Sequence, residues 1–217
     1  MSIKMIVLSL IIGYAAGLFQ TSFIYSKLRG EDIRQKGSGN AGTTNALRSY
    51  GKKVGALVLL GDLLKCVVAV LVARALFAGG DPAMGHLIGL FAGLGCVLGH
   101  NFPFYMGFKG GKGIACTLGV AVMLYWPLAI FGFVIFLTIV LTIHYVSLGS
   151  LVALSMTVVA AAALSLTGVV AMPVNGMGQA MVVYVLLIVL AFFQHRSNIK
   201  RLATHTERKT YLLHKPE

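Results

Sequence analysis

Residues 114–143 read IACTLGVAVMLYWPLAIFGFVIFLTIVLTI, and the way this stretch folds decides the architecture of the chain. It is apolar throughout, interrupted only by Trp126-Pro127 and a few hydroxyl side chains. A membrane-spanning helix takes about 20 residues, so the stretch is long for one helix and short for two. Length alone therefore allows either one span or two short helices that turn at Trp126-Pro127.

The composition of the whole chain places it in a membrane. Of its 217 residues, 58% are hydrophobic and 11% are charged, and the mean hydropathy is +0.87. A soluble chain is roughly 45–50% apolar and about 25% charged, so a soluble or disordered protein is excluded. Three cysteines in apolar stretches cannot form a disulfide framework, and no histidine stands at metal-ligand spacing from them. The sequence predicts an integral membrane protein.

Five further stretches are long and apolar enough to cross a membrane as helices. They are residues 5–25, 54–77, 84–103, 151–172 and 178–194. The second carries Asp62 and Lys65 at i, i+3, a spacing that fits either a self-paired structural couple or a functional pair. The third has glycines at small-x-x-x-small spacing, which lets neighbouring backbones approach and predicts a position near the bundle centre.

The basic residues indicate how many helices residues 114–143 form. Fifteen of the 18 Lys and Arg lie in three segments: residues 26–53, the loop after 103 and the tail after 194. Cytoplasmic loops carry the excess of Lys and Arg, so an even number of crossings should separate the first of these segments from the tail. Two helices in residues 114–143 give that parity. The sequence predicts an all-α membrane bundle of seven transmembrane helices, N-terminus outside and C-terminus cytoplasmic, as one domain over residues 1–217.

The first span has an alternative, a cleaved signal peptide with Lys4 in its basic region. Seven basic residues follow in residues 26–53 and would resist export of that loop, which favours a retained span. The formal net charge of +12 would suggest nucleic acid for a soluble chain. In a chain this apolar it predicts contact with anionic lipid or anionic substrates and no nucleic-acid partner.

The first loop contains a glycine-rich motif, GSGNAGTTNALR, from Gly37 to Arg48. Its start matches G-x-G-x-x-G, but no strand precedes it and no βαβ unit surrounds it, so dinucleotide binding does not follow. Glycines let backbone N–H groups converge on an anion, and hydroxyls, amides and an arginine stand beside them. The motif favours an anion cradle over a merely flexible loop.

The second loop reads GHNFPFYMGFKGGKG from Gly99 to Gly113. Lys-Gly-Gly-Lys-Gly before a helix predicts a second anion cradle, with two ammonium groups added. It is not a Walker A loop, because Met106 stands where the first glycine belongs and Gly113 where Ser or Thr belongs. The alternative is that Lys109 and Lys112 only contribute cytoplasmic positive charge.

The tail reads HRSNIKRL from His195 to Leu202 and continues to Thr206-Glu207. On a helix, His195 and Asn198 share one face, which points to a functional pair as much as to basic residues that only contact lipid. The turn before the sixth span carries Ser147 and Ser150, which either line a site or cap that helix.

Taken in order, these motifs resemble the three cytoplasmic motifs of the bacterial acyl-phosphate:glycerol-3-phosphate acyltransferases. The matching patterns are G-S-G-N-x-G-x-T-N-x-x-R, G-H-x-F-P-x-x-x-x-F-K-G-G-K-G and H-R-x-N-I-x-R-L. The likeness covers nearly the whole chain. It implies transfer of a fatty acyl group from acyl phosphate to glycerol 3-phosphate, giving lysophosphatidic acid and phosphate as the first step of phospholipid synthesis. The implied location is the bacterial inner membrane, with the site at its cytoplasmic face.

The resemblance also implies roles for individual residues. Catalysis falls to His195, near the acceptor hydroxyl and oriented with Asn198, and to Ser38 and Lys112, which stabilise carbonyl or phosphoryl oxygens. A substrate phosphate oxygen is the alternative base. Acyl phosphate and glycerol 3-phosphate are the expected partners, with membrane lipid around them and neither cofactor nor metal. Substrate binding is assigned to Gly37, Gly39, Asn40, Gly42, Thr44, Asn45, Arg48, His100, Lys109, Gly110, Gly111, Gly113, Ser147, Ser150 and Glu207.

Three residues depart from the family pattern. Cys116 stands where a threonine is usual, His144 where another basic residue is commoner, and His205 where a glycine precedes Thr-Glu. These departures bear on substrate detail and not on the reaction.

Two other functions fit the residues less well. Glycerol 3-phosphate acyltransferases that use acyl thioesters carry H-x₄-D, and no histidine here has an aspartate five residues later. A transporter of organophosphate anions would also use basic loops in a helical bundle. It would place ionisable groups near the midplane, commonly within inverted repeats, whereas these motifs cluster on one side and no repeat is visible.

Overall fold

The structure, a computed structural model, describes residues 1–211, and these form ten α-helices without a strand. Lys215, one of the basic residues of the tail, lies outside the described residues. Six segments are long and apolar enough to cross a membrane: α1 with α2, then α4, α5, α7, α8 and α9. The bounds are α1 Ile3–Gly17, α2 Thr21–Leu28, α3 Thr43–Tyr50, α4 Lys52–Phe77, α5 Pro82–Asn101, α6 Ile114–Leu124, α7 Trp126–Ile143, α8 Val146–Leu166, α9 Met177–Gln194 and α10 Arg196–Ala203.

Residues 114–143 form two helices that meet at the predicted place. α6 ends at Leu124, Tyr125 is extended, and Pro127 lies in the first turn of α7. A proline is tolerated there because the first N–H groups of a helix have no intrahelical acceptor. α6 has only 11 residues, a rise of about 16 Å, so by length it is not among the six spanning segments. Six of the seven predicted transmembrane helices are therefore confirmed as long enough to span a membrane, and the helix over residues 114–124 is not.

The first predicted span, residues 5–25, is broken in its second half. α1 ends at Gly17 and α2 begins at Thr21. Polar side chains satisfy carbonyls at the break: Lys65 Nζ donates to Phe19 O at 2.6 Å, and Gln20 Nε2 donates to Gly17 O at 3.1 Å. An unpaired carbonyl is costly in hydrocarbon, so such a break persists where polar side chains reach it.

The sixth predicted span, residues 151–172, is displaced towards the N-terminus. α8 begins at Val146 and ends at Leu166, just before Gly168 with φ +80°. Glycine adopts that left-handed conformation without the steric cost that other residues bear, so it stops the helix. Ser147 and Ser150 consequently lie inside α8, and its N-cap is Tyr145, which makes no side-chain capping bond. The interpretation of these serines as helix caps is wrong.

α5 lies at the centre of the bundle, as its glycines predict. Fifteen of its 20 residues are buried. A Cβ on Gly95 or Gly99 would overlap backbone carbonyl oxygens of α1, and one on Gly93 would overlap Val120 of α6. Small residues at such contacts allow membrane helices to pack closely.

Two opposite ends of the bundle differ in chemistry. At the end of α5 near Asn101, the two loops and the tail meet through hydrogen bonds, and we call this the polar end. At the other end, Arg74 of α4 donates to Met123 O at 2.7 Å and to Gly85 O at 2.9 Å. Met123 is in the last turn of α6, whose carbonyls lack intrahelical donors. Arg74 thereby ties the end of α6 to the first turn of α5.

Candidate functional site

A cavity of about 920 Å³ opens at the polar end. Its walls come from both loops and the tail, together with residues of α4, α6, α7 and α8. All predicted site residues except Gly111 line it. These are Gly37, Ser38, Gly39, Asn40, Gly42, Thr44, Asn45, Arg48, His100, Lys109, Gly110, Lys112, Gly113, Ser147, Ser150, His195, Asn198 and Glu207.

Gly111 packs behind the lining, against His100. A Cβ at this position would overlap the His100 ring, and the Gly111 N–H donates to His100 O at 3.0 Å. The Gly110 N–H donates to Asn101 O at 3.1 Å. Both amides therefore hold the second loop on the end of α5. They are not available to an anion, contrary to the prediction for these two glycines.

The first loop is also held by its own side chains. Asn45 Oδ1 accepts the Ser38 N–H at 2.9 Å, and Asn45 Nδ2 donates to Lys36 O at 2.9 Å and Ile33 O at 3.2 Å. Asn45 is only 2% exposed. Its amide is occupied inside the loop, so it shapes the loop instead of binding a ligand as predicted.

Two helix N-termini also offer backbone donors to the cavity. α3 begins at Thr43 after Gly42, and α6 begins at Ile114 after Gly113, which has φ +79°. All four residues line the cavity. The first N–H groups of a helix lack intrahelical acceptors, and the helix dipole favours an anion beside them. Each predicted cradle is thus built on the start of a helix, with glycines shaping the approach.

The two cradles are joined directly. Asn40 Nδ2 of the first loop donates to Gly110 O of the second at 3.2 Å. The loops are 70 residues apart in sequence. Two helix N-termini therefore face one shared cavity.

One carboxylate organises the tail side of the cavity. Glu207 accepts hydrogen bonds from Ser147 Oγ at 2.9 Å, Asn198 Nδ2 at 2.6 Å and Arg201 Nε at 2.6 Å. Burial alone would raise the pKa of Glu207, but these hydrogen bonds outweigh it and hold the pKa below its ordinary value. Glu207 is therefore ionised and already bonded on both oxygens. It orients Asn198 and Arg201, which differs from the predicted substrate-binding role.

His195 lies at the junction of α9 and α10 and is 2% exposed. Its Nδ1 is 2.8 Å from Ala191 O, and a carbonyl only accepts, so Nδ1 carries the proton and Nε2 is left as an acceptor. Burial, assisted by the charge of Lys112, lowers the pKa of His195 to about 4. The imidazole is consequently neutral near pH 7.

Lys112 projects from the second loop towards α10 and donates to Asn198 Oδ1. Burial lowers the pKa of Lys112 to about 8, with Arg201 and Arg48 acting in the same direction and Glu207 opposing them. Most of the lysine remains protonated at pH 7. An anion placed beside it would stabilise that charge further.

Arg48 connects the first loop to the tail. Its Nε donates to Thr210 Oγ1 at 3.1 Å and its Nη2 to Arg208 O at 3.1 Å, while Arg208 Nη1 donates to Gly37 O at 3.3 Å. The tail therefore passes across the first cradle. Sequence reasoning missed Arg201, Arg208 and Thr210, because nothing in their spacing distinguishes them from the other residues of a basic tail.

The cavity is strongly cationic. Within the described residues its lining carries only two carboxylates, and each is paired: Glu207 with Arg201 at 2.6 Å and Asp62 with Lys65 at 2.9 Å. Lys65 Nζ also lies 2.8 Å from His100 Nδ1. These distances support the interpretation that Asp62 and Lys65 pair with each other and have a structural role. The six cations of the lining are Arg48, Lys109, Lys112, Arg196, Arg201 and Arg208.

Away from its mouth the cavity becomes apolar and continues between helices. Leu118 and Ala121 of α6, Phe133 and Phe136 of α7, and Leu154 of α8 line this part, which we call the apolar branch. A cavity with cations at the mouth and hydrocarbon side chains below fits a ligand with an anionic head and a long apolar tail.

In the part of the chain that the structure describes, no group of three or more His, Cys, Asp or Glu side chains is arranged so that it could hold a metal ion. Cys116, one of the departures from the family pattern, is buried and free, like Cys66 and Cys96.

A helical membrane bundle with a cavity that is cationic at its mouth and apolar below defines an integral membrane protein whose cavity suits an amphiphilic anion. Comparison with known proteins gives the family. The family model described as glycerol-3-phosphate acyltransferase matches residues 7–205. A glycerol-3-phosphate acyltransferase of Thermotoga petrophila is 42% identical over 203 residues, covering 93% of this chain and 95% of the relative. One of Clostridioides difficile is 38% identical over 201 residues, covering 92% of each.

Similar solved structures belong to the same family as these relatives. The structure of PlsY, an integral membrane glycerol 3-phosphate acyltransferase, in its glycerol 3-phosphate form is similar with a TM-score of 0.77 and 36% identity. The match covers 94% of this chain and 95% of that one. The lysophosphatidic acid form of PlsY gives a TM-score of 0.75. The chain belongs to the glycerol-3-phosphate acyltransferase family. The resemblance found in the sequence is confirmed, and the chain is a membrane acyltransferase.

Proposed function

We propose that the chain transfers a fatty acyl group from acyl phosphate to glycerol 3-phosphate, giving lysophosphatidic acid and inorganic phosphate. The observation that carries this proposal is one cavity with two anion-binding helix N-termini and an apolar branch. Two cradles match two phosphoryl groups, one on each substrate, and the apolar branch matches the acyl chain. The glycerol 3-phosphate and lysophosphatidic acid forms of PlsY support the acceptor and the product.

The cations beside the cradles neutralise the phosphoryl groups. Arg48 stands at the first cradle, and Lys109 and Lys112 belong to the second. A guanidinium holds two phosphate oxygens at once, whereas an ammonium acts as a compact charge. Ser38 and Asn40 lie between the cradles and are placed to donate to the carbonyl oxygen as negative charge develops on it.

The reaction needs no nucleophile from the protein, because acyl phosphate already has a good leaving group. The acceptor oxygen forms a bond to the acyl carbon, the bond from that carbon to the phosphate oxygen breaks, and the hydroxyl proton ends on the released phosphate. His195 Nε2 accepts a hydrogen bond from the acceptor hydroxyl. A phosphate with a second pKa of about 6 is the stronger base, so we assign the proton to a substrate phosphate oxygen and the positioning to His195.

We further propose that α6 completes a seventh crossing and that the whole chain acts as one domain in the bacterial inner membrane, with the cavity at the cytoplasmic face. α6 begins beside Asn101 at one end of α5 and is tied through Arg74 to Gly85 at the other. The charge distribution favours the cytoplasmic side for the loops and tail. Glycerol 3-phosphate then arrives from water, while acyl phosphate enters the cavity from the surrounding lipid.

A direct assay tests the donor. Purified protein in detergent is incubated with glycerol 3-phosphate and palmitoyl phosphate, and lysophosphatidic acid and phosphate are measured together. We expect equal amounts of both products. The matched control supplies palmitoyl coenzyme A as the donor, from which we expect no product. Product from the thioester with none from palmitoyl phosphate would refute the proposed donor.

A further inference from the structure

The apolar branch of the cavity ends between α7 and α8. Of the lining residues on these two helices, Gly132 on α7 and Thr157 on α8 lie furthest from the polar end. A Cβ built on Gly132 would overlap Thr157 Oγ1, so a single hydroxyl side chain separates the two backbones. The next residues on the same faces, Ala129 and Ala161, are buried and do not line the cavity. Gly132 and Thr157 together form the floor of the apolar branch.

The floor lies at a depth comparable to the length of a fatty acyl chain. On α7, Gly132 lies about 11 residues before the last residue, Ile143. On α8, Thr157 lies about 11 residues after the first residue, Val146. Each interval corresponds to a rise of about 16 Å along the helix. An extended hydrocarbon chain advances about 1.3 Å per carbon, given carbon–carbon bonds of about 1.5 Å. About a dozen carbons therefore fit between the polar mouth and the floor.

We propose that the Gly132–Thr157 floor determines which acyl-chain lengths the enzyme accepts. This inference rests on the proposed function, since it takes the apolar branch as the binding site of the acyl chain. A small residue on α7 opposite a small residue on α8 keeps the branch open to its full depth. A larger side chain at either position raises the floor, so long chains lose contacts that short chains never make.

The test is the chain-length profile of variants at the floor. Thr157→Phe and Thr157→Leu fill the branch from α8, and Gly132→Ala pushes the Thr157 hydroxyl into it from α7. For each protein, kcat/KM is measured with octanoyl, dodecanoyl and palmitoyl phosphate. We expect kcat/KM for dodecanoyl phosphate, whose chain fills the branch, to fall about tenfold or more relative to octanoyl phosphate, whose chain stops short of the floor, because a misfit of one or a few methylenes in an apolar pocket has an effect of that size.

The matched control is Met156→Phe. Met156 precedes Thr157 at the same depth of α8, but it is 47% exposed on the outer surface of the bundle. This variant adds a comparable ring that faces lipid, and its chain-length profile should equal that of the wild type. The dodecanoyl-to-octanoyl ratio is taken within one preparation, so inactive protein cancels from it.

The outcomes separate this inference from the proposed function. If Thr157→Phe is inactive with every donor, the chain-length ratios of Thr157→Leu and Gly132→Ala decide whether the floor limits the acyl chain. Unchanged ratios in these two variants, or the same shift in Met156→Phe, would overturn the floor while leaving the donor assignment intact. Wild-type protein that uses no acyl phosphate of any length would overturn the proposed function itself.

Discussion

Lys112 of the second loop donates a hydrogen bond to Oδ1 of Asn198 in α10, across the mouth of the cavity. The two residues are 86 positions apart in sequence. Asn198 in turn donates to Glu207 at 2.6 Å, so the tail orients the cation of the second loop through its amide. The position of this ammonium therefore depends on three separate parts of the chain.

Replacing Lys112 with alanine should lower activity without unfolding the bundle. A hydrogen bond that involves a charged group contributes roughly 1.5–3 kcal/mol, which corresponds to a loss of about one to two orders of magnitude in kcat/KM. Steady-state kinetics on monodisperse protein measure this loss. Lys200→Ala is the matched control, because Lys200 is exposed on α10 and does not line the cavity. Equal activity of the two variants would mean that Lys112 contributes only to membrane topology.

The pH dependence of kcat/KM should report the ionisation of Lys112. Its pKa of about 8 leaves it charged below that pH and neutral above, so phosphate binding should weaken as pH rises through about 8. Because kcat/KM reflects the free enzyme, a profile from about pH 6.5 to about 9.5 suits the measurement. Lys112→Arg keeps its charge and should move the alkaline decline upward. If the wild type and Lys112→Arg give the same pH profile, the alkaline decline in kcat/KM belongs to another group.

Arg48→Ala and Arg48→Lys should both lose activity, and lysine should rescue it only in part. The Arg48 guanidinium donates hydrogen bonds to Thr210 and Arg208 of the tail, and its planar group can also hold two phosphate oxygens. The ammonium of a lysine cannot match that geometry. We expect a decrease in kcat/KM of about tenfold or more for alanine. Full activity of Arg48→Lys would show that only the charge matters at this position.

Labelling of single cysteines in intact cells tests the proposed topology. Trp126→Cys and Asn175→Cys should react with a membrane-impermeant thiol reagent added outside, because both positions are exposed and follow an odd number of crossings from the cytoplasmic first loop. Lys53→Cys should react only after the cells are opened. The three native cysteines are buried, so the parent protein serves as the unlabelled control. External labelling of position 53 would mean that the first loop faces outside, which is the reverse of the proposed topology.

Activity should not require a divalent cation. Mg²⁺ is held by carboxylates and waters, and the two carboxylates among the described lining residues, Asp62 and Glu207, are both paired with cations. Assays with and without a chelator should therefore give the same rate. A rate that the chelator abolishes and Mg²⁺ restores would contradict this expectation.

The sequence predicts which residues line this cavity because its strongest signals are local and of one kind. Two glycine-rich motifs and a basic tail share one sign of charge, which places them at one side of a membrane and brings them together without any knowledge of helix packing. The glycines of α5 likewise indicate its central position, since close approach needs small side chains whatever the partner.

What the sequence does not reveal depends on partners far along the chain. The helix breaks after Gly17 because Lys65 on α4 donates to the carbonyls of Gly17 and Phe19. No local sequence pattern predicts this contact. The amides of Gly110 and Gly111 are bonded to the end of α5, although glycines in such a motif suggest free donors. The Thr210–Arg48 contact exists only because the tail folds back.

The shortness of α6 has a consequence for the lipid around it. Its 11 residues rise about 16 Å, about half of the roughly 30 Å of bilayer hydrocarbon. The Lys-Gly-Gly-Lys-Gly loop at its start and the Arg74 guanidinium at its end are both polar, so a bilayer that thins around α6 would keep both of them near headgroups and water. Under the proposed function, a donor embedded in such a leaflet would present its phosphate to the protein without leaving the membrane, and the product would leave at the depth of its phospholipid neighbours.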